Sequence, residues 1–155
     1  SNWVLHPETS NEDRQWLRVA IDASRQSPPC ATAYRVGAVV VTCRGEVFTG
    51  YTHETSATHH AEQEAVIKAL AAGADLRGGA IYSSMEPCSC RASEPESCTQ
   101  MIIRHGFARA VFALYEPDRF VECRGALTLR EAGLEVRVYP DLGDEVRAIN
   151  AHLWG

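Results

Sequence analysis

Lysine is almost absent from this 155-residue chain: Lys68 stands alone, and arginine supplies the rest of the 15 basic residues. Against 20 acidic residues these leave a net charge of −5, with no basic excess to track a phosphate backbone, so nucleic acid is not expected as a partner. No stretch approaches the roughly 20 apolar residues that a membrane-crossing helix needs, so no membrane partner is expected. The start lacks the basic, apolar and small-residue succession of a signal peptide, and a cytoplasmic location is the expectation. Low-complexity linkers and internal repeats are missing too, and the length suits one core, so residues 1–155 are read as a single domain. Ser1 and Asn2 are read as a processing or cloning remnant, since the chain opens without Met.

Six cysteines are present: Cys30, Cys43, Cys88, Cys90, Cys98 and Cys123. An even count suits disulfides in a small secreted protein. Three of these lie within eleven residues and no secretory signal precedes them, which favours metal binding in a reducing compartment. Cys30, Cys43 and Cys123 are read as packing residues.

The hydrophobic spacing alternates between helix and strand. A first helix is expected over 11–26, with Ser10 as its cap and Asp13 near its positive end, stopped by Pro28 and Pro29. The β-branched run 36–42 reads as a buried strand, and 46–51 returns from the Arg44-Gly45 turn as a second. A helix over 60–72 ends at Gly73, and strands are expected at 80–85, 109–115 and 134–139. Helices over 99–105, 125–132 and 144–153 complete the order αββαβαβαβα. Strands alternating with helices imply parallel crossovers, hence an α/β fold: a five-stranded mixed sheet with helices on both faces in three layers. Ligands in such sheets bind beyond the strand ends.

His60, Cys88 and Cys98 fall at those ends. Imidazole and thiolate are borderline-soft ligands that suit Zn²⁺, and three protein ligands leave a fourth position for water. Two thiolates offset the charge of zinc, so a carboxylate is needed to take the water proton. Glu62 and Glu64 both lie near enough in sequence. On a regular helix Glu64 shares the face of His60 and Glu62 lies almost opposite, so spacing favours Glu64 unless the metal is approached along the helix end.

The tripeptide His60-Ala61-Glu62, followed by Glu86-Pro87-Cys88 and a later cysteine, resembles the zinc-dependent cytidine deaminase superfamily. The resemblance implies one zinc per chain, held by His60, Cys88 and Cys98, with Glu62 as the proton carrier. It implies attack of activated water on an amino-bearing ring carbon with loss of ammonia. Most members separate the two cysteines by two residues; here nine intervene. That loop is similar to the deaminase half of the riboflavin-biosynthesis deaminase/reductases. So are Val36-Gly37-Ala38-Val39, Gly106, the stretch Ala132-Gly133-Leu134-Glu135-Val136, and His53, which matches a pocket histidine. The family's Pro-Asn-Pro segment is replaced by Ala31-Thr32-Ala33-Tyr34-Arg35, and its Gly-Arg-Thr-Pro-Pro loop by one holding Glu94 and Glu96. No reductase half is expected within the 155 residues.

These matches make a riboflavin-pathway aminopyrimidine the first substrate expectation, with cytidine or deoxycytidylate as the alternative. His53, Tyr34 and Arg91 are the candidate substrate-binding residues, and Arg35 and Arg119 are further loop arginines able to meet a phosphate. Tyr34 suits stacking on a heterocycle or simple packing. His59 is given no role. A homodimer is implied by family resemblance alone. The rival from another class is a non-catalytic binding module with a structural zinc closed by Cys90; such a site has no need of Glu62. Replacing Cys90 by Ala separates the two, because an open site retains zinc and activity whereas a closed one releases the metal.

Overall fold

The computed structural model describes residues 7–89, 96–117 and 124–154. The chain runs through α1 (Pro7–Ser24), β1 (Gly37–Val41), β2 (Val47–Tyr51), α2 (Ala61–Ala71), β3 (Ala80–Met85), α3 (Cys98–Arg104), β4 (Arg109–Leu114), α4 (Gly125–Glu131), β5 (Glu135–Val138), a 3₁₀ turn (Pro140–Leu142), α5 (Gly143–Ile149) and α6 (Ala151–Trp154). The five strands form one sheet in the order β2-β1-β3-β4-β5. β1 is antiparallel to both its neighbours, with Val39 opposite Thr49 on one side and Tyr82 on the other. β3, β4 and β5 are parallel, with Tyr82 opposite Val111 and Val111 opposite Arg137. The expected five-stranded mixed sheet is therefore present.

Alternation along the strands splits the core in two, as a pleated sheet buried on both faces requires. Val39, Tyr82 and Val111 pack with Leu17, Ala20 and Ile21 of α1 and with Val146 and Ile149 of α5. Ala38, Val40, Ile81 and Phe112 face Ala65 and Val66 of α2, Ile102 of α3 and Leu129 of α4. The result is three layers, helix on sheet on helix. Gly50 lets α2 approach β2 closely: a Cβ there would lie 2.5 Å from the Ala61 carbonyl oxygen. That contact fixes the height of the α2 N-terminus above the sheet.

Two expectations about the helices change. α1 begins at Pro7, where a fixed φ suits the first turn, so Ser10 lies inside the helix and not at its cap. The Ser10 hydroxyl instead accepts a hydrogen bond from Arg14 Nη1. The last helix breaks at Asn150, which is fully buried. Its Oδ1 accepts from the Arg35 amide at 2.6 Å, and its Nδ2 donates to the Arg35 carbonyl at 3.1 Å. This side chain imitates a strand partner for residue 35 and ends α5 to do so.

Asp13 is likewise not a surface charge at a helix end, being 0% exposed. Arg109 donates to both its oxygens, at 2.9 and 2.8 Å, while Tyr82 and Tyr139 donate their hydroxyls at 3.2 and 2.6 Å. Burial first, then Asp13, holds both phenols well above their ordinary range, so both keep the proton they donate. The cluster pins α1 to β3, β4 and the end of β5. Asp13→Ala would leave Arg109 with Glu135 as its one remaining carboxylate among the described residues and would remove the acceptor of two buried phenols, and a loss on the order of 3 kcal/mol is expected in urea unfolding. A loss below about 1 kcal/mol would mean that the pair behaves like an exposed ion pair.

Candidate active site

Three segments meet beyond the ends of β2 and β3. His60 is the N-cap residue of α2, with an extended backbone (φ −86°, ψ 162°), so its ring leaves the helix at the end and not along a side. Cys88 lies three residues past β3, and Cys98 is the first residue of α3. Ser97 caps α3: its hydroxyl accepts from the Gln100 amide at 3.1 Å, while the Gln100 side chain accepts from the Ser97 amide at 3.0 Å. This reciprocal capping box fixes where α3 starts. The buried Thr99 ties α3 to the Cys88 segment, its amide and hydroxyl both donating to the Cys88 carbonyl, at 3.0 and 2.6 Å. Gly125, opening α4, completes the packing, since a Cβ there would lie 1.9 Å from the Pro87 carbonyl oxygen.

The consequence is a triangle of donors. His60 Nδ1 lies 3.4 Å from Cys88 Sγ and 3.3 Å from Cys98 Sγ, and all three donor atoms fall within 4.8 Å of one another. Tetrahedral zinc, with bonds of about 2.3 Å to sulfur and 2.0–2.1 Å to nitrogen, would set nitrogen and sulfur roughly 3.5 Å apart. The donor set therefore fits zinc both in chemistry and in spacing. Cys88 and Cys98 are 7% and 1% exposed, and His60 is half-buried. The hydrogen bond from Cys98 and then the adjacent His60 hold the Cys88 thiol well below the usual thiol range, against the opposing effect of burial. Among the described residues no fourth His, Cys, Asp or Glu joins the group.

The two glutamates of α2 part company. Glu62 is buried (4%), and its charge, with those of Cys88 and His60, acts on Glu116 beside the triangle. Glu64 is fully buried, but both its oxygens accept from Thr55 in the loop before α2. The helical spacing that favoured Glu64 assumes His60 inside the helix, whereas His60 stands at its end.

Glu116, a half-buried residue just past β4, is a neighbour that sequence reasoning missed. Burial, followed by the negative charges of Cys88 and Glu62, pushes its carboxyl up to about 7. The signal available was a repeated pair: Glu86-Pro87 follows β3 and Glu116-Pro117 follows β4, at the C-terminal ends of neighbouring parallel strands. Glu86 braces the second pair, accepting from the Glu116 amide at 3.2 Å and from the Ala126 amide of α4 at 2.9 Å.

The remaining candidates are spread out. His53 is half-buried in the loop between β2 and α2, with φ +62° and its amide donating to the His59 carbonyl at 3.0 Å. Tyr34 is 6% exposed and packs in the core on the α1 side of the sheet, which accounts for it by packing. Arg35 is occupied structurally, donating to the carbonyls of Ser27 and Arg25 at 2.7 Å each. Cys43 is exposed, not packed, and Cys30 is half-buried. Cys90, Arg91, Glu94, Arg119 and Cys123 lie outside the described residues.

Comparison with known proteins gives this arrangement its relatives. Residues 10–114 match the family model for the cytidine and deoxycytidylate deaminase zinc-binding region. The chain is 37% identical over 138 residues to a diaminohydroxyphosphoribosylamino-pyrimidine deaminase of Schizosaccharomyces pombe, a match covering 88% of this chain and 33% of that protein. It is similar in structure to a Thermotoga maritima diaminohydroxyphosphoribosylaminopyrimidine deaminase/5-amino-6-(5-phosphoribosylamino)uracil reductase, with TM-score 0.81 and 28% identity over 91% of this chain and 40% of the other. A C-terminally deleted Aspergillus oryzae Rib2 deaminase superposes with TM-score 0.68 and 26% identity, covering 91% of this chain and 99% of that one. The chain spans about a third of the length of the first curated relatives it matches. With its three-layer fold and a matched segment that includes all three donors, this chain belongs to the cytidine and deoxycytidylate deaminase zinc-binding family.

Proposed function

We propose that this chain is a zinc-dependent hydrolytic deaminase acting on a phosphorylated ribosylaminopyrimidine of riboflavin biosynthesis. The observation that carries the reading is the triangle of His60 Nδ1, Cys88 Sγ and Cys98 Sγ, with the buried Glu62 two residues after His60 and acting, like Cys88 and His60, on the carboxyl of Glu116. His60, Cys88 and Cys98 would hold one zinc per chain, which when bound supplies Lewis-acid activation of water. Glu62 takes a proton from the attacking water and passes it to the ring nitrogen, then takes the second proton from the hydroxyl added to the ring carbon and gives it to the amine, which leaves as ammonia when the C–N bond breaks and the carbonyl forms. Water and aminopyrimidine become the ring carbonyl compound and ammonia, so atoms and charge balance without a redox partner.

The substrate class is supported by the activities for which the relatives from S. pombe and T. maritima are named and by the long segment between Cys88 and Cys98. His53 and Arg91 are the residues proposed to meet the substrate. Tyr34 is left to packing. The reading extends to a single-domain chain, a homodimer by family resemblance, and a reducing cytoplasm that keeps the thiols free. No helix among the described residues is long and apolar enough to cross a membrane.

Ammonia release from a panel holding the phosphorylated ribosylaminopyrimidine, cytidine and deoxycytidylate tests both reaction and substrate. Wild type is expected to prefer the first. Glu62→Gln is expected to retain zinc while its turnover falls about 10²–10⁴-fold, the usual weight of a proton carrier. Undiminished turnover in that variant would remove Glu62 from the mechanism, and preference for deoxycytidylate would replace the substrate.

A further inference from the structure

Glu64 is a fully buried carboxylate that the proposed chemistry does not use. Such a group is costly to bury unless its oxygens are matched by donors, and here the match is unusually complete. Thr55 supplies its backbone amide at 2.6 Å to Oε2 and its hydroxyl at 2.7 Å to Oε1 and 3.0 Å to Oε2. His59 Nδ1 lies 3.5 Å from Oε2. All of these donors come from the segment joining β2 to α2, the one that delivers His60.

The same helix grips that segment a second time. Lys68, the single lysine, pairs with Glu54 at 2.5 Å and also donates to the Thr49 carbonyl at 2.7 Å. Next to these two grips the chain makes a closed neck, where the His53 amide donates to the His59 carbonyl at 3.0 Å. His53 has φ +62°, a conformation that non-glycine residues seldom adopt without outside support. That support comes from Thr55 bound to Glu64 and Glu54 bound to Lys68. The first turn of α2 thus presents Glu64 to the loop that ends in His60.

We infer that Glu64 is a positioning residue: through Thr55 it holds residues 52–59, and with them His53 and His60, in the geometry that metal and substrate meet. Glu64 touches no reacting atom in this scheme. The inference rests on the proposed function only for its kinetic readout. Its structural part stands on the hydrogen bonds alone.

The test uses the full chain as wild type, Glu64→Gln, Thr55→Val and Thr55→Ser. Amide hydrogen exchange, zinc competition against a chelator, and kcat and KM for the phosphorylated ribosylaminopyrimidine are measured on each. Losing a charge-assisted bond of this kind is expected to speed exchange in residues 53–59 about tenfold, with the sheet unchanged. KM is expected to rise about tenfold and kcat to stay within about threefold, with zinc affinity weakened in the same variants. Thr55→Ser, which keeps the hydroxyl, is expected to behave as wild type. Thr55 is exposed, so its variants carry the test if Glu64→Gln fails to fold.

Unchanged loop exchange in Thr55→Val with unchanged KM would overturn the inference. So would a collapse of kcat at constant KM in Glu64→Gln, which would make Glu64 a proton carrier. If wild type turns over no aminopyrimidine, the functional reading fails, while exchange and zinc competition still decide the positioning role.

Discussion

Two sulfur atoms and a ring nitrogen from three separate segments converge within 4.8 Å in this fold, and much of the surrounding structure exists to hold them there. Thiolates at that separation repel each other and lose hydration on burial, so the arrangement needs a compensating positive charge and a rigid frame. Zinc is the compensating charge that the donor chemistry suits. The frame is the protein's own: the Ser97 cap sets the start of α3, Thr99 clamps the Cys88 carbonyl, and Gly125 admits α4 against Pro87. Glu86 then binds the backbone of the β4–α4 connection and the first turn of α4.

On the other side, α2 carries two buried carboxylates, Glu62 and Glu64, with different surroundings. His60, as N-cap, leaves the helix end, which changes which neighbour shares its surroundings. Glu62 acts on Glu116 together with Cys88 and His60, and Glu64 accepts from Thr55 of the loop. Both are carboxylates within one turn of helix, and the difference between them arises from what each meets.

Much of this was legible in the sequence. The strands were, because β-branched runs such as Val39-Val40-Val41 have little alternative, and β3 matches its expected residues, Ala80–Met85. The donor trio was legible from ligand type and from resemblance. The break at Asn150 was not, since its partner, Arg35, is 115 residues away and no local pattern holds that contact. The buried Asp13 escaped for the same reason: its charge partner, Arg109, is 96 residues distant. Glu116 escaped because the repeat of Glu86-Pro87 in Glu116-Pro117 gains meaning only when the register of β3 and β4 sets the two pairs side by side. Helical spacing favoured Glu64 and the resemblance favoured Glu62; the position of His60 at the helix end, which a helical wheel does not contain, removes the premise of the spacing argument.

Zinc K-edge X-ray absorption on the purified protein addresses the open, two-thiolate site most directly. The expected shell holds two sulfurs at about 2.3 Å and two light atoms at about 2.0–2.1 Å, the second of them from water. A shell of three sulfurs would make Cys90 a ligand and the site closed, and would contradict a hydrolytic centre built on His60, Cys88 and Cys98.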